Sequence, residues 1–149
     1  MRIAASHAGT DPGRKRRINE DSFVIAPPLF AVADGMGGAQ AGEVASQLAA
    51  SALEAGDSDA QKGTKRIDEL IQEANRRIFD RASTDPSASG MGTTMTVALV
   101  DGMTVAIGHV GDSRAYLVRG EHMEQLTEDH SLVNGDVVRA GETELRFEE

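Results

Sequence analysis

The chain has no cysteine, which excludes disulfide staples and thiolate metal sites. Its four histidines, at positions 7, 109, 122 and 130, are scattered without ligand spacing, so any bound metal must be held by oxygen. Long apolar runs are missing as well. The opening MRIAASHAGTDPG lacks the apolar stretch of about 7–15 residues that marks a secretory leader, and nothing approaches the ~18 residues needed to span a bilayer. The expectation is a cytoplasmic protein without membrane contact. Positive charge is scarce: 15 Lys and Arg face 24 Asp and Glu, a formal net charge of −9. Such a balance argues against nucleic-acid binding by bulk electrostatics. Neither G-x-x-x-x-G-K-[ST] nor a strand-linked G-x-G-x-x-G occurs, which disfavours nucleotide binding.

What is present centres on residues 30–38, FAVADGMGG. Phe30 to Ala33 read as the end of a short buried strand, and Asp34 is the first residue after them that could not stay buried unpaired. Gly35, Gly37 and Gly38 let the backbone turn and approach a ligand closely, exposing carbonyl oxygens beside the carboxylate. Hard-oxygen cation binding is one use of such a stretch; an ordinary Asp-Gly hairpin turn is another. A second acidic step, Glu20-Asp21, lies one strand upstream. A strand over 22–26, a turn at Pro27-Pro28 and a strand over 29–33 would bring Asp21 and Asp34 to one end of a sheet. Two acidic clusters meeting there repel unless cations sit between them. The cation run Arg14-Lys15-Arg16-Arg17 is either a solvated loop or, beside a metal site, a place for a bidentate arginine–phosphate contact.

With 149 residues, 40% of them apolar, the chain amounts to one domain, able to bury roughly 68–70% of its unfolded surface. Residues 2–7 can form a first strand. Ala41, Val44, Ala45, Leu48, Ala49, Ala52 and Leu53 form one helical face ending near Gly56. After a polar linker over 58–63, Ile67, Leu70, Ile71, Ala74, Ile78, Phe79 and Ala82 form another, closed before Asp85-Pro86. Strands follow over 93–100 and 103–110 across an Asp101-Gly102 turn, then over 114–119 and 123–126 across Gly120-Glu121. The order strands, helix pair, strands predicts α+β with antiparallel meanders. Both faces of residues 95–99 are apolar, which suits two packed sheets with helices outside. Gly111-Asp112-Ser113-Arg114 reads equally as turn chemistry, and Asp129 and His130 sit in a polar loop.

Five stretches in order, Arg16-Arg17-Ile18-Asn19-Glu20-Asp21-Ser22, Val32-Ala33-Asp34-Gly35-Met36-Gly37-Gly38, Gly92-Thr93-Thr94, Gly111-Asp112-Ser113-Arg114 and Asp129-His130-Ser131, resemble the metal-dependent type 2C serine/threonine protein phosphatases, bacterial branch. The resemblance spans residues 3–143. It implies a four-layer α-β-β-α sandwich with a binuclear Mn²⁺ or Mg²⁺ centre, and dephosphorylation of phosphoserine and phosphothreonine in signalling phosphoproteins by a metal-activated water. By the same resemblance Asp34 bridges the two metals, Gly35 offers its carbonyl, Glu20 binds one metal, and Asp21 orients the attacking water. Arg16 binds phosphate, with Arg17 in reserve, and Asp112 serves a third, weaker metal. Paired divalent ions of this kind sit about 3.5–4 Å apart and stabilise an in-line displacement, so no nucleophilic side chain is required.

Two departures bear on this. Animal members carry a histidine after the Asp-Gly step where this chain has Met36, so leaving-group protonation must come from water or elsewhere. The family also continues past this chain's end, with a further strand-borne Asp-Gly and a late Asp-Asn that supply metal ligands. Asp136, Glu142, Glu144, Glu148 and Glu149 lack that context, and an acidic tail is ordinarily a solvated one. The resemblance therefore implies the N-terminal portion of a phosphatase domain over 1–149, weak or inactive alone, with open sheet edges suited to self-association or to a missing half. The alternative is a non-catalytic phosphoprotein-binding or regulatory module that keeps Arg16 and a partial metal site.

Overall fold

The computed structural model describes residues 2–14, 17–37, 41–56, 62–130, 137–140 and 143–146. Among these, β1 (Asp21–Ala26) and β2 (Leu29–Met36) form the expected hairpin across a cis Pro27-Pro28 bond. Asp21 pairs with Asp34, and Val24 with Ala31. β2 also pairs with a two-residue β3 (Gly92–Thr93) and with β4 (Met95–Asp101), and β4 pairs with β5 (Thr104–Val110). All pairings are antiparallel.

Side chains alternate across this sheet. Val24, Leu29, Ala31, Ala33, Met95, Val97, Leu99 and Val110 point to one face, where α1 (Ala41–Ala55) and α2 (Gly63–Thr84) cover them to form the core. α1 buries a stripe of small residues, Ala41, Gly42, Ala45, Ser46, Ala49 and Ala52, with Leu53. Small side chains let its axis approach the sheet closely. α2 contributes Ile67, Leu70, Ile71 and Ala74. A satellite cluster of Ala41, Ala45, Ala88 and Met91 closes the far end, with Val44, Leu48, Ile78 and Ala82 packed on it. There Asp85 ends α2 and accepts hydrogen bonds from the Ser87 amide at 2.9 Å and the Ser87 hydroxyl at 2.6 Å.

The opposite face carries Phe23, Ile25, Val32 and Val105, which are 40–48% exposed. Two separate hairpins complete the described part: β6 (Tyr116–Arg119) with β7 (His122–Gln125), and β8 (Val137–Ala140) with β9 (Thr143–Arg146). The fold is α+β with antiparallel sheets. The described residues lay a pair of helices on one face of the main sheet, and helices cover only that face.

Several sequence expectations shift. Residues 2–7 form no strand; β1 occupies the end of the sheet order with β2 as its partner, and residues 2–6 stay exposed. β2 runs through Asp34-Gly35 to Met36, because Gly35 and Met36 find partners in Thr93 and Gly92. Asp34-Gly35 is thus strand, not a hairpin turn. The strand expected over 93–100 is interrupted at Thr94, whose hydroxyl and amide are drawn to Asp34. Its turn is centred one residue later, with Gly102 at φ 58° and Asp101 paired to Thr104. α2 starts at Gly63, inside the expected linker. Phe79 leaves the predicted helical face and is 68% exposed, since it stands about 100° around the helix from Ile78. β8 and β9 were not anticipated.

Candidate metal and phosphate site

The β1–β2 register sets Asp21 and Asp34 directly opposite one another. Opposed residues of an antiparallel pair project from the same face, with Cβ atoms about 4.5–5.5 Å apart, and like charges there destabilise the pair. The side chain of Asn19 accepts the Asp21 amide at 3.0 Å and donates to the Thr10 hydroxyl at 2.7 Å, fixing the entry into β1.

Glu20, which precedes Asp21, is held instead by an unusually tight approach of strand to helix. The Gly35 amide donates to the Glu20 carbonyl at 3.0 Å. A Cβ on Gly35 would lie 1.9 Å from the Gly42 carbonyl oxygen, and one on Gly42 would lie 2.7 Å from Glu20 Oε1. The Glu20 carboxylate therefore rests on the first turn of α1, where the helix dipole favours negative charge. Glycine at both positions is what permits the contact.

Asp34 is tied twice to Thr94, between β3 and β4: its amide donates to Thr94 Oγ1 at 3.0 Å and its carbonyl accepts from the Thr94 amide at 2.9 Å. Thr94 Oγ1 also meets Ser113 Oγ at 2.6 Å. Ser113 follows Asp112 in the loop after β5, so one buried threonine links the Asp34 strand to the Asp112 loop. Asp112 is exposed. Gly111, at φ 101°, packs on the Thr94 side chain, leaving no room for a Cβ.

The same loop is held from its other side. Thr96 Oγ1 donates to the Ser113 carbonyl at 2.6 Å, which leaves it to accept from His109 Nδ1 at 2.9 Å. His109 stacks on His130 with ring centroids 5.1 Å apart. The His130 amide donates to the Gly111 carbonyl at 2.8 Å, and the Gly111 amide donates back to His130 Nδ1 at 3.4 Å. Arg114 grips Asp129 through Nε at 2.9 Å and Nη2 at 2.5 Å. The hydrogen bonds from Arg114, then its charge, hold the Asp129 carboxyl below the usual carboxylate range, and Asp129 in turn raises Arg114.

A carboxylate with a depressed folded-state pKa stabilises the fold above its unfolded value and loses that contribution as pH falls through the folded value. Acidification below the ordinary aspartate range should therefore release the 111–114 loop before the main sheet. Amide exchange of Gly111 and Arg114, compared with that of Val97, checks this. Arg114→Ala should remove the difference between neutral and acid pH, and equal protection in both would contradict it.

The structure thus brings Glu20, Asp21, Asp34 and Gly35 to one end of the sheet and ties the Asp112 loop alongside. Arg16 lies outside the described residues; Arg17 is described and exposed. The donors are all hard oxygens, which suits Mn²⁺ or Mg²⁺. Among the described residues no three His, Asp or Glu side chains gather closely enough to hold an ion by themselves. The chemistry of the group fits, as part of a ligand shell. Of the acidic tail residues, Asp136, Glu142, Glu148 and Glu149 also lie outside the described residues, while Glu144 falls in β9.

Sequence reasoning missed Gly42, Thr94, Thr96 and Ser113 as supports of the site. Thr94 and Ser113 stood inside quoted motifs, but a hydroxyl's partner across a sheet has no sequence signal. Gly42 lies on the buried face of α1, where a glycine carries no signal of a strand approaching closely.

The protein phosphatase 2C family model matches residues 6–136. The chain belongs to that family. A serine/threonine phosphatase stp of Listeria innocua is 42% identical over 148 residues, covering 89% of this chain and 57% of the relative. The serine/threonine protein phosphatase PstP of Mycobacterium tuberculosis is 41% identical over 128 residues, covering 85% of this chain and 25% of the relative. Among solved structures, the PstP catalytic domain in complex with two manganese ions matches with a TM-score of 0.76 at 41% identity, covering 81% of this chain and 54% of that one. The chain spans little more than half the length of the Listeria relative. No helix among the described residues is long and apolar enough to cross a membrane.

Proposed function

We propose that this phosphatase 2C chain carries the first part of a metal-dependent protein serine/threonine phosphatase site, acting on phosphoserine and phosphothreonine in proteins. The observation that supports this most is the direct opposition of Asp21 and Asp34 at one sheet end. A cation shared between them would offset the repulsion of two like charges held opposite one another by the backbone.

In this reading Asp34 would be shared between two Mn²⁺ or Mg²⁺ ions, Glu20 and the Gly35 carbonyl would hold one of them, and Asp112 would serve a third. The ions, when bound, supply Lewis acidity and a lowered water pKa. The chain's own groups do the rest. Asp21 accepts a hydrogen bond from the attacking water and so aims it at phosphorus. Arg16 engages phosphoryl oxygens through its planar fork, with Arg17 next to it. Met36, half-exposed just past Gly35, has no proton to give, so the leaving oxygen takes its proton from water or another group.

A second reading, a regulatory module that binds phosphoproteins without turnover, draws on the incomplete ligand set among the described residues. The exposed apolar sheet face and hairpin edges would then serve association with another copy or with a completing partner. Phosphate release from phosphothreonine and phosphotyrosine peptides, with and without added Mn²⁺, separates the two. The phosphatase reading expects slow release that requires Mn²⁺ and favours phosphothreonine. Tight peptide binding with no release would overturn it in favour of the module.

A further inference from the structure

Between the Asp34 strand and the Asp112 loop stands one buried hydroxyl. Thr94 is 3% exposed, and its Oγ1 accepts the Asp34 amide at 3.0 Å while lying 2.6 Å from Ser113 Oγ. Its own amide returns to the Asp34 carbonyl at 2.9 Å. Both peptide groups flanking the Asp34 side chain are thereby set by one residue. The far side of the loop has independent anchors in Thr96, which donates to the Ser113 carbonyl, and in the Arg114–Asp129 pair.

We propose that Thr94 is a positioning residue: its hydroxyl fixes the spacing between Asp34 and the Asp112 loop, and so sets the affinity of the site for divalent cations. The inference rests on the phosphatase reading above. The chemistry is specific to a hydroxyl, because the group must accept from an amide and share a hydrogen with Ser113 at once. Valine has the same shape and can do neither. Serine can do both.

Partners that orient metal ligands typically change metal affinity by about 10–100-fold when removed. Thr94→Val should weaken Mn²⁺ binding, measured by titration calorimetry on the whole chain, by roughly 10-fold or more on the same scale. Thr94→Ser should restore it to within about threefold, a small part of that range. Ser113→Ala removes the other hydroxyl of the same contact and should weaken binding in the same direction, which keeps the test open if Thr94→Val does not fold. Melting of the metal-free proteins, followed alongside, separates packing from positioning: Thr94→Ser loses the methyl that packs on Gly111, so a packing role predicts that it melts and binds as poorly as Thr94→Val. Unchanged Mn²⁺ binding in folded Thr94→Val or in Ser113→Ala would overturn the inference alone. A wild-type chain that binds no Mn²⁺ would sink the phosphatase reading and this inference with it.

Discussion

Gly35→Ala is expected to leave the chain without a cooperative folded state. The added Cβ would stand 1.9 Å from the Gly42 carbonyl oxygen and 2.7 Å from the Glu20 carbonyl oxygen, and both are backbone atoms that no rotamer change can move. Relief requires α1 to lift from β2. That would uncover Ala49, Ala52 and Leu53 together with Ala31 and Ala33, the middle of the core. Overpacking relieved by side-chain shifts costs about 1–3 kcal/mol. A clash between two backbones in a domain whose whole stability is on the order of 5–15 kcal/mol should take most of it. Urea unfolding followed by circular dichroism checks this, and a variant with the wild-type midpoint would contradict the close strand–helix approach. Gly42→Ala should act in the same direction, since its Cβ would stand 2.9 Å from the Gly35 carbonyl carbon and oxygen as well as 2.7 Å from Glu20 Oε1.

Asp34→Asn should keep the fold and remove the chemistry. The substitution preserves shape and both backbone bonds to Thr94, and it relieves the opposition to Asp21. Its melting temperature should stay close to that of the wild type, because asparagine keeps the shape of the side chain and the backbone bonds to Thr94. The Mn²⁺-dependent rate of phosphate release should nonetheless fall by more than ~100-fold, beyond the range typical of residues that only orient ligands. Activity is therefore lost without a loss of stability. A general packing defect cannot produce that pattern, and a variant with both properties unchanged would remove Asp34 from the site.

How much of this was legible in the sequence depends on the range of the interaction. The β1–β2 hairpin could be read because its turn, its strands and its two acidic ends are local, and the Asp21–Asp34 pairing follows from counting back from Pro27-Pro28. The two helices were legible from periodicity, with Phe79 misplaced because it adjoins the apolar stripe without lying on it. The continuation of β2 through Asp34-Gly35 was hidden, since it depends on partners some sixty residues away in Gly92 and Thr93. Strand propensity reports a surface to be covered, not the strand that covers it. The same holds at the site. Carboxylates announce themselves by charge, whereas Thr94, Ser113 and Gly42 act through a hydroxyl contact or a missing Cβ that only tertiary packing defines. The resemblance supplied the individual roles of Glu20, Asp112 and Arg16; the residue pattern alone left Glu20 as part of an acidic step, the cations around Arg16 open between a solvated loop and a phosphate contact, and Asp112 with an ordinary turn reading.

The membership in the phosphatase 2C family and the α+β fold agree with one another, and the proposed cation at the Asp21–Asp34 end of the sheet is the central claim. Titration of the wild-type chain with Mn²⁺, following free ion by electron paramagnetic resonance beside Asp34→Asn, tests that claim most directly. The account predicts saturable binding by the wild type that is lost in Asp34→Asn while both proteins remain folded. Binding of equal strength in the two, or none in either, would contradict it.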